Sequence, residues 1–299
     1  MPADDLYVVF NPRSGKGRGA GLVAPVLRAL GGGAVAHGVT SAAGDESRLA
    51  MEALGRGYRR IVAVGGDGTW SNVGNAIIRS GVDAALGLVP AGTGCDLAKS
   101  LGIPARDVAR CARIARDGHS RRIDAGRIED RTFLNVAGFG FDIAVIEDSW
   151  TVRFLGGDLL YLYCALRQLH RFPGFPVALA VDGEAPQHRE MLMLVVANAR
   201  VFGGGFKIAP EADLGDGRLE VVSFANMPLF RRLSIMGRLL RGTHGEAPEV
   251  TSRRGRRLDL RFDAPPAYET DGEWHRAASV DLTIEAVPGA LRVLVPQEA

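Results

Sequence analysis

The chain has 299 residues, of which 46% are hydrophobic and 23% charged, and its 36 basic and 34 acidic side chains leave a formal net charge of +2. This length predicts two domains with a sizeable buried core, and the composition excludes the disordered and fibrous classes. A nearly balanced charge gives no reason to expect nucleic acid as a partner, and three cysteines without a CxxC pair fit a reducing cytoplasm rather than a disulfide framework.

Up to about residue 122, short apolar strands alternate with helices, a pattern typical of βαβ units around a parallel sheet. The strands are predicted over residues 6–10, 61–64 and 85–89, and the helices over residues 21–30, 70–79 and 96–101. Beyond that point strands dominate, which indicates a second, mostly antiparallel domain. Its strands are predicted over residues 133–136, 177–181, 191–197, 219–224, 258–262, 280–285 and 291–295, and its two helices over residues 155–170 and 229–240.

Three glycine-rich turns each follow a predicted strand and precede a predicted helix. Their sequences are NPRSGKG (11–17), GGDGT (65–69) and PAGTGCD (90–96). The carboxyl ends of parallel strands lie at one edge of a sheet, where α/β folds bind ligands, so the three turns should meet there. Glycine lets a backbone come close to an anion, and a helix N-terminus offers N–H groups, so this edge predicts a phosphate site. Neither the Walker A nor the Rossmann GxGxxG pattern fits the first turn.

Asp67 stands inside the second turn, where its charge would repel a bare phosphate. A carboxylate at that position makes chemical sense if a divalent cation lies between it and the phosphate groups. The alternative is a tight turn in which Asp67 caps the helix that follows. The turn therefore predicts either a phosphate site with a metal or a structural cap.

Taken together, the motifs resemble those of the diacylglycerol kinase catalytic-domain family of lipid kinases, in its bacterial soluble form, which is related to the sphingosine kinases. The three turns and a later TDGE (270–273) occur in the family's order and at similar spacing. Further matches are RID (122–124), NVAGFGFD (135–142) and the ADxxDG stretch over residues 212–217. The resemblance covers essentially the whole chain.

The resemblance implies an α/β fold in two domains. A Rossmann-like, parallel-sheet domain that binds ATP would span residues 1–125, and a mostly antiparallel, β-sandwich-like domain for the lipid would span residues 126–289. The last strand, near residues 290–299, would return to the first domain, and the active site would lie in the cleft.

The same resemblance implies an ATP- and Mg²⁺-dependent lipid kinase of phospholipid metabolism, which phosphorylates a hydroxyl group of a diacylglycerol-like or other long-chain lipid. The partner would be a lipid presented at a membrane surface; the sequence does not name that lipid and leaves a homodimer open. Two alternatives stay open as well. One is a non-catalytic, nucleotide-binding regulator, and the other is a soluble enzyme like NAD kinase, which shares a GGDG turn.

The resemblance also assigns residues to roles. The ATP-binding residues would be Asn11, Pro12, Arg13, Ser14, Gly15, Thr40, Gly65, Gly66, Asp67, Gly68, Thr69, Trp70, Ser71, Asn72 and Thr93. Asp67, Asp96 and Asp124 would hold the catalytic Mg²⁺ through waters, and Asp213, Asp216 and the carbonyl of Arg218 would hold a structural Mg²⁺. The alternatives are helix caps for Thr40 and Asp96, a surface turn for Asp124, and an ordinary Asp-Gly hairpin turn at Asp216.

The chain departs from the family at two places. Trp70, Ser71 and Asn72 stand where the family usually has Leu-Asn-Glu, and Cys95 stands where it usually has Asn. Both changes remove polar contacts near the nucleotide. They bear on nucleotide affinity and on the acceptor more than on the reaction class.

Asp271 is the residue that the resemblance assigns as the general base, with Glu273 nearby. The Pro265-Pro266 pair opposes a helix, so we expect residues 268–273 to be extended, with Asp271 and Glu273 on the same side of a strand. Two carboxylates so placed repel, so at least one should be exposed, linked to a metal or sharing a proton. The alternative is a turn with solvated acids.

Two stretches are candidates for contact with lipid. In the predicted helix over residues 229–240, apolar side chains share one face and arginines lie mostly elsewhere, so this helix either enters a lipid interface or packs on its own domain. The second candidate is the stretch from Phe154 to Phe175. We expect neither a signal peptide nor a membrane-spanning segment, so the protein would be cytoplasmic and peripheral on the inner face of the membrane.

Overall fold

The structure, a computed structural model, describes residues 5–32, 35–153, 155 and 158–297. These residues form two compact units. The first lies within residues 1–125, 214–216 and 288–299, and the second comprises residues 126–213 and 217–287. The predicted domains, 1–125 and 126–289, stay a prediction, because a compact unit is not thereby shown to fold alone.

The first unit is built on parallel strands. Its elements are β1 (Leu6–Phe10), α1 (Arg18–Ala29), β2 (Ala36–Val39), α2 (Asp45–Gly55), β3 (Arg60–Gly65), α3 (Asp67–Ser80), β4 (Ala85–Pro90), α4 (Asp96–Ser100) and α5 (Val108–Asp117). The sheet order is β2–β1–β3–β4, and Arg292 and Val293 pair with β4, also in parallel. Strands β1, β3 and β4 are almost completely buried. Such burial explains their unbroken apolar sequences, since helices cover a parallel sheet.

The second unit is mostly antiparallel. Strand β5 (His119–Ile128) runs from the first unit into the second, and β15 (Asp281–Val295) runs from the second unit back into the first. The elements between them are β6 (Arg131–Phe133), β7 (Val136–Gly140), α6 (Phe141–Ser149), α7 (Asp158–Arg171), β8 (Phe175–Val181), β9 (Gln187–Ala197), β10 (Leu219–Ala225), α8 (Leu229–Arg241), β11 (Val250–Gly255), β12 (Arg257–Arg261), β13 (Ala267–Thr270) and β14 (Glu273–Arg276). The antiparallel order is β14–β13–β7–β9–β8–β12–β15, with β10 between β9 and β11.

Strand β9 lies between two apolar cores of the second unit. Leu194 and Val196 pack into one core with Phe139 and Tyr268, whereas Val195 packs into the other core with residues of β10 and α8. Successive side chains of a strand point to opposite faces, so this run of apolar residues supplies both cores. Its continuous hydrophobicity, unusual for an antiparallel strand, follows from that position.

The predicted fold class is confirmed: an N-terminal parallel α/β region is followed by mostly antiparallel strands. The strands predicted over residues 280–285 and 291–295 are one strand, β15. Helices α2, α5 and α6 and strands β2 and β5 were not predicted, and the strand predicted over residues 133–136 covers only the end of β6 and the start of β7. No helix in the described part of the chain is both long and apolar enough to cross a bilayer.

Candidate functional site

The second and third glycine turns meet at their backbones. A Cβ atom added to Gly92 would lie 2.6 Å from the Cα atom of Gly66, and one added to Gly66 would lie 3.1 Å from the Cα atom of Gly92. The N–H groups of Ala91 and Gly92 donate to the carbonyl of Gly65, at 2.7 and 3.1 Å. The two turns therefore share one backbone surface that a larger residue at either glycine would obstruct.

The first turn joins this surface through Gly15 and Arg18. Gly15 has a left-handed backbone, with φ +58°, and a Cβ atom there would lie 1.9 Å from the carbonyl oxygen of Ala91. The Arg18 side chain donates from Nη2 to the carbonyl of Gly92, at 2.7 Å, and from Nε to the carbonyl of Gly15, at 3.2 Å. The structure thus brings the three turns together within the first unit.

Asn11 connects the first turn to two helices. Its Nδ2 donates to Oε1 of Glu46 and to Oγ1 of Thr69, both at 3.0 Å, and the Arg13 N–H donates to its Oδ1 at 3.0 Å. Glu46 is 5% exposed. The sequence did not single out Glu46 or Arg18, since neither lies within a glycine motif. The only available signals were a basic residue directly after NPRSGKG and an acid in the first turn of α2.

Two of the predicted nucleotide-binding side chains point into the protein. Trp70 is fully buried, and its Nε1 donates to the carbonyl of Ala63 at 3.1 Å, so its indole belongs to the core of the first unit. Thr40 is 8% exposed, and its N–H donates to the carbonyl of Phe10 at 2.9 Å. No side chain caps α2, so the alternative of Thr40 as a helix cap is wrong. Thr93, by contrast, is exposed.

The side chain of Asp67, the first residue of α3, reaches the start of α4, where Asp96 lies. Oδ1 of Asp67 accepts the N–H of Leu97 at 3.0 Å, so Asp67 caps α4 and not its own helix α3. Asp96 is 6% exposed and pairs with Nζ of Lys99 at 3.0 Å. Burial, followed by the charge of Asp67, raises the pKa of the Cys95 thiol to about 12. The charge of Asp96 raises the pKa of the same thiol to a smaller extent, so two of the predicted metal-binding carboxylates lie near Cys95.

Asp124, the third aspartate of the predicted catalytic Mg²⁺ network, is 2% exposed. Its Oδ1 accepts the N–H of Gly289 at 2.7 Å, and its own N–H donates to the carbonyl of Leu214 at 2.6 Å. It is therefore not the surface turn residue of the alternative interpretation. Among the described residues, no three acidic, histidine or cysteine side chains lie close enough to bind a metal directly.

Cys95 has a left-handed backbone, with φ +54°, at the position before α4. Asparagine adopts this conformation more readily than other residues with a Cβ atom, and a residue without that tolerance costs roughly 1–2 kcal/mol. The asparagine that the family usually has here thus suits the backbone of the turn. The departure at Cys95 changes local strain as well as polarity.

Asp271 and Gly272 form the two-residue turn between β13 and β14. Both have left-handed backbones, with φ +51° and +88°, as a type I′ Asp-Gly turn requires. The prediction that Asp271 and Glu273 share one extended strand was therefore wrong, since the Asp-Gly pair reverses the chain between them. Glu273 begins β14 and is exposed. Asp271 is 9% exposed, so the alternative of solvated acids fits only Glu273.

Three main-chain N–H groups hold the Asp271 carboxylate. Leu134 donates to Oδ2 at 2.8 Å, and Asn135 and Val136 donate to Oδ1 at 2.8 and 3.1 Å. The N–H of Asp271 donates in turn to the carbonyl of Val136 at 3.0 Å. Asn198 supports the same segment, because its Nδ2 donates to the carbonyl of Leu134 at 2.8 Å. The TDGE and NVAGFGFD motifs, far apart in sequence, are thus two sides of one hydrogen-bonded arrangement.

Two further carboxyl groups, neither of them predicted, lie buried beside this turn. Glu269 is 1% exposed, and its Oε2 accepts the N–H of Gly272 at 2.6 Å. Asp142 is 8% exposed, and its Oδ1 accepts the N–H of Ile143 at 2.9 Å. Burial raises the pKa of Asp142 to about 7, and burial together with the charge of Asp142 raises the pKa of Glu269 well above its ordinary value.

The predicted structural cation site falls on an exposed loop. Asp213, Asp216 and Arg218 are exposed and precede β10. Gly217 has a left-handed backbone, with φ +71°, but the loop joins β9 to β10 over residues 198–218. The alternative of a tight Asp-Gly hairpin turn is therefore wrong.

A depression of about 370 Å³ in the first unit lies apart from the glycine turns. Its lining includes Arg59, Arg60, Arg116 and Arg292, near the amino-terminal ends of β3 and β4. Arg60 donates to the carbonyl of Arg116 at 2.8 Å, and Arg292 contacts Asp83 at 3.3 Å. Because these arginines already have partners and the turns follow the opposite ends of the strands, the depression is not the predicted nucleotide site.

Solved structures share this fold. A putative diacylglycerol kinase from Bacillus anthracis aligns with a TM-score of 0.79 at 20% identity, covering 97% of this chain and 94% of that one. An NAD kinase from Archaeoglobus fulgidus, solved in complex with ATP, aligns with a TM-score of 0.55 at 13% identity, covering 98% and 94%. This chain thus shares its fold, a parallel α/β unit and an antiparallel β unit, with both of these proteins.

The sequence comparisons narrow the class of proteins that share this fold to one family. A family model described as the diacylglycerol kinase catalytic domain matches residues 5–128, and one described as the YegS C-terminal NAD kinase beta sandwich-like domain matches residues 135–295. A diacylglycerol kinase from Mycobacterium tuberculosis is 32% identical, covering 85% of this chain and 82% of the relative. A probable lipid kinase YegS-like from Pseudomonas aeruginosa is 34% identical, covering 86% and 83%. The chain belongs to the diacylglycerol kinase catalytic-domain family.

The contact between the glycine turns predicts opposite effects for two substitutions. Gly92→Ala places a Cβ atom against the backbone of Gly66 and should lower the free energy of unfolding by about 1–3 kcal/mol. Gly68→Ala is the matched control, because its Cβ atom meets nothing within 4 Å and alanine favours the helix that Gly68 occupies. Urea unfolding without nucleotide measures both. Equal stabilities of the two variants would contradict the backbone contact.

Proposed function

We propose that this protein is an ATP- and Mg²⁺-dependent lipid kinase. It transfers the γ-phosphoryl group of ATP to a hydroxyl group of a diacylglycerol-like or other long-chain lipid. The observation that carries the proposal is the convergence of three glycine turns in a chain of the diacylglycerol kinase catalytic-domain family. The names of its relatives, diacylglycerol kinase and probable lipid kinase, support a lipid as the acceptor.

The first unit has the features needed to hold a nucleotide. The first N–H to donate within α3 is that of Trp70, to the carbonyl of Gly66 at 3.1 Å, so the N–H groups of Gly68 and Thr69 precede the ladder of that helix. Such groups, beside a backbone surface without side chains, suit phosphate oxygens. In this proposal, residues 11–15 and 65–72 and Thr93 hold ATP. Arg18 adds positive charge beside the turns.

The carboxylates of the first unit fit a hydrated magnesium ion. Asp67, Asp96 and Asp124 supply the hard oxygen atoms that Mg²⁺ prefers, and the absence of a direct three-ligand cluster among the described residues suits contact through waters. When bound, the ion neutralises charge on the phosphate groups. The side chains of the chain itself position that hydrated ion.

Asp271 is the proposed general base. Three N–H groups fix the orientation of its carboxylate, and pre-organisation of this kind is what a base needs to meet a hydroxyl group. Asp271 takes the proton of the lipid hydroxyl group as that oxygen bonds to the γ-phosphorus and the bond to the departing ADP oxygen breaks. Glu273, exposed at the start of β14, is the proposed second acid of the site.

Transfer of labelled phosphate to lipid tests this function. The protein, γ-labelled ATP and a mixed lipid extract should give a labelled lipid on thin-layer chromatography, and EDTA should abolish the product. Asp271→Asn should lower turnover by about 10²- to 10⁴-fold because the base is lost. Calorimetry should show unchanged ATP affinity in that variant.

The controls separate the alternatives. Asp281→Asn, on an exposed position of the second unit, should retain turnover. Asp271→Asn also places an amide NH₂ group near a main-chain N–H and should cost about 1–3 kcal/mol of stability, so its folding is checked by thermal unfolding. Near-normal turnover in folded Asp271→Asn would reject the base. ATP binding without any labelled lipid would favour the non-catalytic regulator, and labelled NADP would favour an NAD-kinase-like enzyme.

A second Mg²⁺, with a structural role, is proposed for Asp213, Asp216 and the carbonyl of Arg218. Oxygen atoms spaced by three and then two residues along a loop suit a hard cation. EDTA should lower the melting temperature of the wild-type protein and of the exposed control Asp263→Ala by a few degrees. Asp216→Ala should not respond. Equal shifts in all three proteins would remove this site from the proposal.

A lipid-facing surface is proposed on α7 and α8. Buried Arg232 joins the two helices, because its Nη1 donates to the carbonyls of Leu169 and Phe172 at 2.8 and 2.9 Å. The exposed apolar side chains are Leu159, Tyr161, Leu162, Tyr163, Leu166, Leu229, Phe230, Leu233 and Leu240. Phe154 and residues 156–157, part of the predicted lipid-contact stretch, lie outside the described residues. Apolar side chains beside arginines suit an anionic bilayer surface, so we propose a cytoplasmic protein peripheral on the inner face of the membrane.

Sedimentation with anionic vesicles measures this contact. The double variant Phe230→Ser with Leu233→Ser should bind at least tenfold more weakly, because two exposed apolar side chains are lost. Met51→Ser removes a similarly exposed side chain from the first unit and should bind like the wild-type protein. Binding that is unchanged in the double variant, or insensitive to salt, would count against the surface.

A further inference from the structure

The two buried carboxyl groups beside the Asp271–Gly272 turn each have an oxygen atom without a partner. Oε1 of Glu269 and Oδ2 of Asp142 are buried and accept no hydrogen bond from any described residue. The other oxygen of each group is satisfied by a main-chain N–H, from Gly272 and Ile143 respectively. A buried carboxylate oxygen without a donor is costly, so these two atoms require an explanation.

The two unpartnered oxygens lie on the same side of Gly138. A Cβ atom added to Gly138 would lie 1.8 Å from Oδ2 of Asp142 and 3.0 Å from Oε1 of Glu269. Gly138 of β7 stands opposite Glu269 of β13 in the strand register. Glycine thus leaves the space that the two carboxyl groups fill together, and any other residue at this position would displace at least one of them.

Among the described residues, no positive charge is found to act on Glu269. Apart from Asp142, the charged group that acts on it is Asp271, which adds a further negative charge. The neighbouring side chains Phe139 and Tyr268 belong to an apolar core. Two ionised carboxylates in close contact and shielded from water cannot both persist, and such pairs retain one proton.

We propose that Asp142 and Glu269 share one proton at neutral pH, in a hydrogen bond between Oδ2 of Asp142 and Oε1 of Glu269. The shared proton keeps Glu269 beside Asp142, and Glu269 in turn holds the N–H of Gly272 through Oε2 at 2.6 Å. The pair therefore fixes the turn that carries Asp271. Asp142 and Glu269 are positioning residues for that base; this last role rests on the proposed function, whereas the shared proton does not.

The proton has a consequence for stability that depends on pH. Burial raises the pKa of both groups in the folded protein, to about 7 for Asp142, so the folded state binds more protons than the unfolded state above the ordinary carboxyl range. The stability that the pair contributes is therefore full below that range and is lost as the pH rises through the raised pKa values of the pair. Loss of the proton leaves two charges that repel, which should release Glu269 and the turn.

Glu269→Gln is the informative substitution. A glutamine amide carries no titrating proton, yet its NH₂ group can donate to Asp142 and its carbonyl can accept the Gly272 N–H. Asp142→Asn makes the reciprocal change. Asp148→Asn is the matched control, since Asp148 has the same exposure of 8% on the same helix but is paired with Arg167.

Infrared spectroscopy and unfolding as a function of pH test the shared proton. The wild-type protein and Asp148→Asn should show the carbonyl band of a protonated carboxyl group at pH 6–7, and Glu269→Gln and Asp142→Asn should lack it. The slope of the unfolding free energy against pH should correspond to about one proton fewer in those two variants alone. The Gly272 amide should lose protection from hydrogen exchange above pH 8 in the wild-type protein but remain protected in Glu269→Gln.

The outcomes separate this inference from the proposed kinase activity. A band that is absent in the wild-type protein, or that persists in both variants, would overturn the shared proton. Removal of the band by added Mg²⁺ or Ca²⁺ would also overturn it, because a cation would then replace the proton. If the band and the exchange results hold while no lipid is phosphorylated, the proposed function fails and the shared proton stands. If lipid kinase activity is found, its alkaline limb should move to higher pH in Glu269→Gln.

Discussion

The backbones of Gly66 and Gly92 approach so closely that a methyl group on Gly92 has no room and one on Gly66 would be tightly confined. This contact follows from the register of β3 and β4, which pairs Gly65 with Pro90 and so ends both strands at the same level. The two helices that follow then start beside each other. The cap that Asp67 provides for α4 and the bonds of Arg18 to Gly15 and Gly92 all depend on that meeting. A site lined by backbone atoms leaves room for an anion that side chains would otherwise exclude.

In the second unit, carboxyl groups hold the main-chain N–H groups in and beside a turn. A type I′ turn leaves main-chain N–H groups to be satisfied, and here Asp271 accepts three N–H groups of the neighbouring segment while Glu269 accepts that of Gly272. Placing acids in such positions brings negative charges together inside an apolar core. A retained proton between Glu269 and Asp142 resolves the conflict, and Gly138 provides its space.

The two departures from the family motifs change side chains and leave the backbone surface of the glycine turns intact. Trp70 fills the core behind the second turn, and Cys95 sits in a left-handed position within the third. Neither change obstructs the backbone surface where Gly66 and Gly92 meet. Phosphoryl transfer depends mainly on positioning and charge neutralisation, so a chain that keeps the turns and the aspartates keeps the parts that matter most for the proposed reaction.

The sequence by itself determined the parallel α/β region, the antiparallel region and the three turns, because buried strands and glycine turns leave strong local patterns. It also contained signals that were not used: α5 has a strongly amphipathic pattern, and Asp271-Gly272 is a common hairpin turn. Only the tertiary structure decided that Asp67 caps α4, that Trp70 belongs to the core, and that Asp142 and Glu269 share the space beside Gly138. Apart from the bond of Trp70 to Ala63, these contacts join residues far apart in the chain, and neither periodicity nor spacing encodes which distant groups will share a buried space.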